Sequence, residues 1–508
     1  MFDWLQFFRP TPPFSGGVLL DMHKITDASP IADCPLPEVL IHPLKQHIGA
    51  SCELLVSVGD HVFRGQKIGK SKGYVSAPVH AGTSGKVVRI EDHIVPHPSG
   101  LGMPCIFIEA DGLDQSIEAK NSITDWINHA PSLLREQVRL AGITGLGGAG
   151  FPTYIKLLKD QRHPIHTVVL NGIECEPWLT HDHRLMIEHS DAIVEGLAIL
   201  LHLVGSPRGV IAIEDNKPIA ILAMQQAIDA YTSNAKNQAA IIMVVQSLPT
   251  RYPQGSEKQL IQAITGQEVP AGKLPMHTGV LCQNIASTEA IYRAIVQGKP
   301  LTERVITVSG DALPIPANLR VRLGTPMRFV FSHCGLRQWD GIQIVHGGPM
   351  MGERLKNAEA PVVKSTTGLL AMARNTLMAE HQGEEPCIRC GHCSEVCPIH
   401  LVPNMLADFT RQEQFDKAES YQLFDCIECG CCSHVCPSHI PLVHYFRYGK
   451  GQLAQIRKEK SFAEASRQRS EQRNSRIVQE KAAKAARRSR VRQQAKKILP
   501  PETKDDQP

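Results

Sequence analysis

The 508-residue chain has no run of roughly 18 apolar residues, so no segment predicts a helix able to cross a bilayer. Its most apolar window, Ala192 to Val204, is short and carries Glu195 and His202, which reads as a buried helix of a soluble domain. Met1 to Pro13 holds aromatics and prolines but no basic stretch ahead of an apolar core, so no export signal is expected. A secreted disulfide scaffold is also missing. Of fifteen cysteines, nine fall between Cys387 and Cys436, while Cys34, Cys52, Cys105, Cys175, Cys282 and Cys334 are scattered. That usage points to a reducing compartment. A strong overall charge is lacking too, but the net +4 is uneven. Residues 451–500 hold fifteen Lys or Arg against four Glu, which leaves a mildly acidic body and a strongly basic tail. The tail has neither regular apolar spacing nor aromatic or fold motifs for nucleic acid, so no nucleic-acid partner is expected. It predicts a solvated or frayed helix, partly helical or disordered, with anionic lipid heads or an acidic partner as the surfaces it could meet.

What is present is a pair of cysteine loops. Cys387, Cys390, Cys393 and Cys397 precede Pro398, and Cys426, Cys429, Cys432 and Cys436 precede Pro437. Both copies read C-x-x-C-x-x-C-x-x-x-C-P, the ligand run of two-cluster ferredoxins. Three thiolates two residues apart can hold one cubane from a tight loop, and the fourth reaches the other cluster. Cluster one is therefore expected on Cys387, Cys390, Cys393 and Cys436, and cluster two on Cys397, Cys426, Cys429 and Cys432. A zinc ribbon would leave two cysteines per copy over and the prolines unexplained. Cys431 lies outside the pattern and is expected to pack as a small hydrophobe, with His392 and His434 as polar filling. Between the copies, Leu401, Met405, Leu406, Phe409, Phe415 and Leu423 recur at helical intervals, so a helical ferredoxin domain is expected.

Upstream, residues 35–115 alternate short apolar segments with glycine turns and read as all-β. Val58 to Gln66 and Ser76 to Gly85 resemble the two halves of a biotinyl/lipoyl-type barrel-sandwich. The lysine that carries the cofactor in that family is replaced at the hairpin tip by His80-Ala81-Gly82. A structural role without a swinging arm is expected. Residues 116–300 alternate helices (from Ser132, Asp191 and Pro218) with strands (from His166, Gly209 and Ala240), which implies a parallel sheet with helical crossovers.

The segment Gly142 to Thr153 is glycine-rich. Gly145, Gly147 and Gly150 formally fit a dinucleotide fingerprint, but a helix rather than a strand precedes them, so an ordinary dinucleotide loop is rejected. Glycines here let the backbone approach a ligand closely, and Lys156 could assist an anion at the following helix start. A tight turn without a ligand is the alternative. Asn171 to Pro177 then places Glu174 and Glu176 at the carboxyl end of a strand, where open α/β sheets bind ligands. Solvated loop acids are the alternative there.

Gly145 to Lys156 and Asn171 to Pro177 resemble the flavin and NADH motifs of the NADH-binding subunit of respiratory complex I. The resemblance implies an FMN site on Gly145, Gly147, Gly148, Gly150, Lys156 and Asn171, with Glu174 and Glu176 as catalytic acids facing flavin and nicotinamide. Tyr252 to Glu257 resembles the same family's Y-x-x-G-E-E and adds Glu257. Gln283 to Ser287 resembles its N-N-V-E-T and adds Asn284 and Ser287. Ile173, Ser256 and Ala286 stand where that family has acids, so the flavin part of the match exceeds the nicotinamide part. Residues 301–365 resemble the soluble-ligand-binding (SLBB) β-grasp domain that follows.

The expected fold is thus multidomain α/β plus β plus α. An N-terminal segment (1–34) precedes a barrel-sandwich hybrid (35–115), a Rossmann-like flavin domain with a parallel sheet (116–300), an SLBB β-grasp (301–365), a helical double-[4Fe–4S] ferredoxin domain (366–450) and the tail (451–508). That order resembles the RnfC (RsxC) family, part of the bacterial Rnf (Rsx) ion-translocating oxidoreductase. The family implies electron transfer between NADH and ferredoxin-side partners, with membrane-embedded and iron–sulfur subunits of one complex as neighbours. It also implies a peripheral position on the cytoplasmic face of the inner membrane. A soluble flavo-iron–sulfur reductase resembling cobalamin reductase shares the domain order, and a cluster-carrying adaptor without NADH turnover is the other alternative.

Overall fold

A computed structural model describes residues 14–97, 99–118, 122–158, 160–234, 241–373 and 383–498. One compact unit runs to Met405 and takes in Phe424–Val443; the other comprises Leu406–Leu423 and the chain from His444 onward.

In the first unit, two small antiparallel sheets form the barrel-sandwich. One is ordered Val39–Pro43, Gly102–Ala110, Gly85–Ile94, His61–Val62, and the other Glu53–Leu54, Lys67–Lys70, Val79–His80. Val62, Ile68, Val79, Val87, Ile106 and Ile108 fill the space between them. The hairpin tip is buried rather than free: His80 is 4% and Ala81 0% exposed. Lys364 Nζ, itself buried, donates to the Pro78 and Gly142 carbonyls, both at 2.7 Å, and so pins the tip to the glycine-loop domain. No arm could swing from this position.

The flavin-type domain has a four-stranded parallel sheet ordered Ile242–Leu248, Arg208–Glu214, Thr167–Gly172, Val280–Asn284. Helices Pro131–Leu140, Ser190–Val204, Pro218–Ser233 and Ile285–Val296 supply Leu134, Leu197, Met224 and Ile291 to its core. Strands apolar on both faces, such as Val168-Val169-Leu170, suit a sheet covered on both sides.

The β-grasp sheet is larger than its sequence boundary. Its order is Ile31–Asp33, Ala317–Arg322, Glu303–Ser309, Gly368–Ala373, Ile342–His346, Glu353–Leu355. Gly368–Ala373 lies in the middle, parallel to Glu303–Ser309 and antiparallel to Ile342–His346. The expected boundary at 365 is therefore too early, because this apolar strand completes the sheet instead of opening the ferredoxin domain. Ile31–Asp33 adds an edge strand from the N-terminal segment, whose sequence gives no sign of it.

The two cysteine loops repeat one backbone. Arg389 and Glu428 both have φ of 57°, and short helices His392–Glu395 and Cys431–His434 follow Gly391 and Gly430. In the second unit, Phe409 meets Tyr421 edge-on at 4.9 Å and Phe415 meets Tyr448 at 6.1 Å, around buried Ala418, Leu423, Phe446 and Leu453. The helix Leu442–Ile498 then leaves this small core. From Arg457 to Gln494 every side chain is exposed. Among the described residues, no helix is long and apolar enough to cross a membrane.

Candidate functional site

The glycine loop is closed by its own backbone. Gly145 N–H donates to the Phe151 carbonyl at 2.8 Å, and Gly150 N–H to the Gly145 carbonyl at 3.0 Å. Its shape is held from below by the helix that starts after Asn284. Ser287 Oγ accepts the Leu146 N–H at 2.8 Å and donates to the Thr144 carbonyl at 3.2 Å. Asn284 caps that helix through Ser287 N–H, and a Cβ at Gly147 would sit 3.2 Å from its amide. The other three glycines meet only ordinary neighbours, and Gly147 and Gly148 are exposed. A Cβ at Gly145, Gly148 or Gly150 would approach nothing closer than 3.7 Å among the described residues. The exposed backbone at Gly147 and Gly148 can be approached closely by a flat ligand, which fits FMN.

Lys156 lies one turn beyond the loop. Its Nζ donates to Glu257 Oε1 at 3.1 Å and to the Cys282 carbonyl at 3.3 Å. Burial works against its charge, but the Glu257 carboxylate outweighs burial and the net pKa is raised, so Lys156 is a fixed cation. Asn171 pairs in register with Asn284, and its Nδ2 donates to the Gly255 carbonyl at 2.8 Å, tying the strand end to the Tyr252–Gly255 loop.

The two acids differ from each other and from the solvated alternative. Glu174 is 5% exposed. It accepts the Asp182 and His183 N–H groups at 2.9 and 3.3 Å and faces His181 Nδ1 at 2.9 Å. Despite its burial, His181 and Lys24 hold its carboxyl well below the usual range. Glu174 thus anchors the helix His181–Glu188, and Asp182 in turn accepts Asn284 Nδ2 at 2.7 Å. This network joins Glu174 to the glycine loop as a supporting group rather than an open catalytic acid. Glu176 is pushed up to about 7 by burial, although its carboxylate accepts the Met350 and Met351 N–H groups at 3.0 and 2.8 Å.

Sequence reasoning missed what holds this loop. Lys24 Nζ donates to the carbonyls of Glu174, Glu176 and Leu179 at 2.7, 2.8 and 2.6 Å, a clamp from the N-terminal segment. Glu214 and Lys217 form a buried ion pair beneath it, and Glu214 Oε2 also accepts the Glu174 N–H at 3.2 Å. Nothing in the local pattern around Lys24 marks a contact some 150 residues away. A buried Glu-x-x-Lys just after a predicted strand is a weaker signal that could have been read.

In the cysteine loops, one pocket is lined by Cys387, Cys390, Cys393 and Cys436 together with Ile388, Asn404, Ile440 and Leu442. Cys432 is raised by burial first and then by the thiols of Cys429, Cys426 and Cys397, which lie about it. Amide N–H groups already point at sulfur: Leu401 N–H donates to Cys397 Sγ at 3.3 Å and Glu428 N–H to Cys426 Sγ at 3.4 Å. Apolar lining with amide-to-sulfur donors fits [4Fe–4S] ligation. Cys431 is fully buried, as expected of packing.

The helix Glu257–Thr265 joins the two regions. Glu257 meets Lys156, Lys258 Nζ lies 3.5 Å from Asp425 Oδ1, and Gln259 Nε2 donates to the Pro398 carbonyl at 3.1 Å.

Family models match each region: the Nuo51 FMN-binding domain over residues 138–293, the RnfC barrel sandwich hybrid domain over 12–113, and a 4Fe-4S dicluster domain over 383–440. An FMN-binding domain and a dicluster domain on one chain define a flavin–iron–sulfur redox protein. Relatives named as the C subunit of an ion-translocating oxidoreductase complex include one from Klebsiella pneumoniae, 42% identical over 97% of this chain and 64% of its own length. One from Salmonella gallinarum is 43% identical over 93% of this chain and 69% of its own length. One from Haemophilus influenzae is 42% identical over 92% and 70%. The chain belongs to this family of ion-translocating oxidoreductase C subunits, and it spans under two thirds of the Klebsiella relative's length. Two solved structures of an NAD+-reducing [NiFe]-hydrogenase also match in part. The air-oxidized form has TM-score 0.44 and 14% identity, covering 57% of this chain and 55% of that one. The H2-reduced form has TM-score 0.46 and 15% identity, covering 64% and 61%.

Proposed function

We propose that the protein is a peripheral electron-transfer component of a membrane-bound, ion-translocating oxidoreductase, passing electrons between NADH and ferredoxin-side partners by way of FMN and two [4Fe–4S] clusters. The observation that carries this reading is the first turn of the helix Glu257–Thr265. Three consecutive side chains reach the flavin-site lysine, the residue before Cys426 and the residue after Cys397. Flavin and cluster regions are thereby braced on one rigid element.

FMN, when bound, supplies the conversion between hydride and single-electron transfer. In this reading Gly145, Gly147, Gly148 and Gly150 would present the cradle, and Lys156, balanced by Glu257, would counter the charge of the phosphate. Asn284 and Ser287 fix the loop's shape, and Asn171 ties the strand end to the Tyr252–Gly255 loop. Glu176, with a proton affinity near neutrality, holds or releases a proton at its carboxylate against the Met350 and Met351 amides, and Glu174 keeps that segment in place. Cys387, Cys390, Cys393 and Cys436 hold cluster one; Cys397, Cys426, Cys429 and Cys432 hold cluster two. The site of action is the cytoplasmic face of the bacterial inner membrane, against membrane-embedded and iron–sulfur subunits of the same complex. The exposed basic helix is directed at anionic lipid heads or an acidic partner.

One observation favours a second reading, a cluster-carrying adaptor that does not turn over NADH. Ile173 is 6% exposed and packs with Cys175 and Tyr252, so this position is built as core rather than as an acid. The experiment that separates the two is NADH-driven cluster reduction in anaerobically purified protein. Lys156→Met with Glu176→Ala should abolish it and leave cluster absorbance intact; reduction that survives both changes sinks the site assignment. Wild-type protein whose clusters accept electrons from dithionite but not from NADH favours the adaptor.

A further inference from the structure

The two copies of the cysteine motif share a backbone but not an environment. In the first copy Cys387 and Cys390 are exposed, Ile388 is 68% exposed, and a Cβ at Gly391 would meet nothing within 4 Å among the described residues. In the second copy Cys429 and Cys432 are buried, and a Cβ at Gly430 would lie 2.8 Å from the Met350 carbonyl oxygen. Met350 is also the residue whose N–H meets Glu176. Tyr252, 2% exposed, donates its hydroxyl to the Cys429 carbonyl at 2.6 Å. Cys429 thus sits in one apolar cluster with Ile173, Cys175 and Tyr252 of the flavin-type domain.

A strap from the N-terminal segment closes this contact. Gly17 N–H donates to the Val396 carbonyl at 2.8 Å, and Val18 and Tyr252 exchange backbone hydrogen bonds at 2.8 and 3.0 Å. Gly16 and Gly17 both adopt left-handed backbone, with φ of 78° and 76°. A Cβ on Gly16 would lie 2.8 Å from the Cys397 carbonyl, and one on Gly17 would lie 2.5 Å from the Tyr252 carbonyl oxygen. Only glycine fits either place without displacing backbone. Phe14 is buried at the strap's start, with the Arg251 guanidinium 5.4 Å over its ring. The strap therefore reaches the backbone of Cys397, the outlying cysteine of the second set, and also the tyrosine that holds Cys429.

We infer that Gly16, Gly17 and Tyr252 are positioning residues that lock the Cys397, Cys426, Cys429 and Cys432 set against the flavin site. That cluster exchanges electrons with flavin, and the Cys387, Cys390, Cys393 and Cys436 set at the exposed end is the outlet to a one-electron partner. The inference rests on the electron-transfer reading above and gives the wire a polarity that the near-identical motifs conceal. Each transfer moves one electron. The donor loses it, the accepting cluster's charge falls by one, and no bond forms or breaks. Tunnelling falls steeply with distance, so the docked cluster outcompetes the exposed one for flavin electrons.

The test uses full-length protein loaded with FMN and both clusters, without oxygen. Bound FMN is reduced by light with a sacrificial tertiary amine as electron source, and clusters are followed by their paramagnetic resonance signals. Iron and released flavin are measured for every variant. In Cys387→Ser, light still reduces the cluster that remains. In Cys426→Ser, light-driven reduction of the remaining cluster is lost, although dithionite still reduces it. The reverse pattern, or unchanged light-driven reduction in Cys426→Ser, overturns the polarity. Tyr252→Phe keeps iron and flavin but shifts the resonance signature and midpoint potential of the docked cluster alone; no shift, or equal shifts in both clusters, overturns the positioning role. Gly17→Ala slows light-driven reduction without changing the dithionite endpoint. If Cys426→Ser does not fold, Tyr252→Phe carries the decision. Wild-type protein that holds clusters but no FMN sinks this inference and the functional reading together, whereas flavin present with the reverse pattern sinks the inference alone.

Discussion

Replacing Lys24 by methionine tests whether the N-terminal segment holds the site together. The ammonium makes three hydrogen bonds, to the carbonyls of Glu174, Glu176 and Leu179 at 2.7, 2.8 and 2.6 Å. An acceptor left without a donor inside a protein costs about 1–3 kcal/mol, so three carbonyls lose about 6 kcal/mol in all. Against this stands relief from burying a charge. Burial pulls Lys24 from 10.5 to about 8, and at about 1.4 kcal/mol per pKa unit the relief is about 3 kcal/mol. The difference, about 3 kcal/mol of destabilisation, falls on the segment 174–179. Trp178 is a local reporter of it: its ring stacks on His23 at 4.7 Å and its backbone N–H donates to the Met22 carbonyl at 2.9 Å. The assay is denaturant unfolding followed by Trp178 emission, isolated by difference from Trp178→Phe, because one global midpoint is not defined for a chain of several domains. A loss below about 1 kcal/mol, or a gain, would refute the clamp, since it would mean that the carbonyls find other donors at no cost.

Other outcomes follow from the same geometry. Glu176 has a folded pKa of about 7, above its ordinary 4.5. Its contribution to stability is therefore fully present below 4.5 and is lost as pH rises through 7, by at most about 3 kcal/mol. Glu176→Gln should flatten unfolding midpoints across that window, and an unchanged slope would show that the carboxyl is not buried in this way. Lys364→Met leaves the Pro78 and Gly142 carbonyls without their donor. Two lost donors at about 2 kcal/mol each, less about 3 kcal/mol of relief from burying a charge held at about 8, leave a cost of about 1 kcal/mol, and the hairpin tip should open to proteolysis near His80; uncut tips would contradict the plug. The basic helix beyond Arg457 should carry the protein onto vesicles rich in phosphatidylserine at low salt and release it as salt rises. Binding that ignores salt or vesicle charge would exclude lipid headgroups as its target.

Local pattern carried much of this architecture. Alternating strand and helix segments gave the parallel sheet, and the spacing of Cys387 to Cys436 marked both loops without any tertiary information. The glycine loop was legible because Gly145 to Gly150 need only local backbone freedom. What stayed hidden depends on contacts between distant segments. Gly16 and Gly17 look like ordinary linker residues until Cys397 and Tyr252 are seen against them. Glu174 and Glu176 are alike in sequence, but one is spent on the turn into helix His181–Glu188 and the other on the Met350 and Met351 amides. The β-grasp boundary slipped because Gly368–Ala373 enters the sheet between strands that lie apart in sequence.

The electron-transfer role depends on the eight paired cysteines holding iron and sulfide. Metal and acid-labile sulfide analysis of oxygen-free, reconstituted protein is the direct measurement, and it should return about eight of each per chain, as two [4Fe–4S] clusters require. Zinc in place of iron, or half that iron with all eight thiols intact, would contradict it.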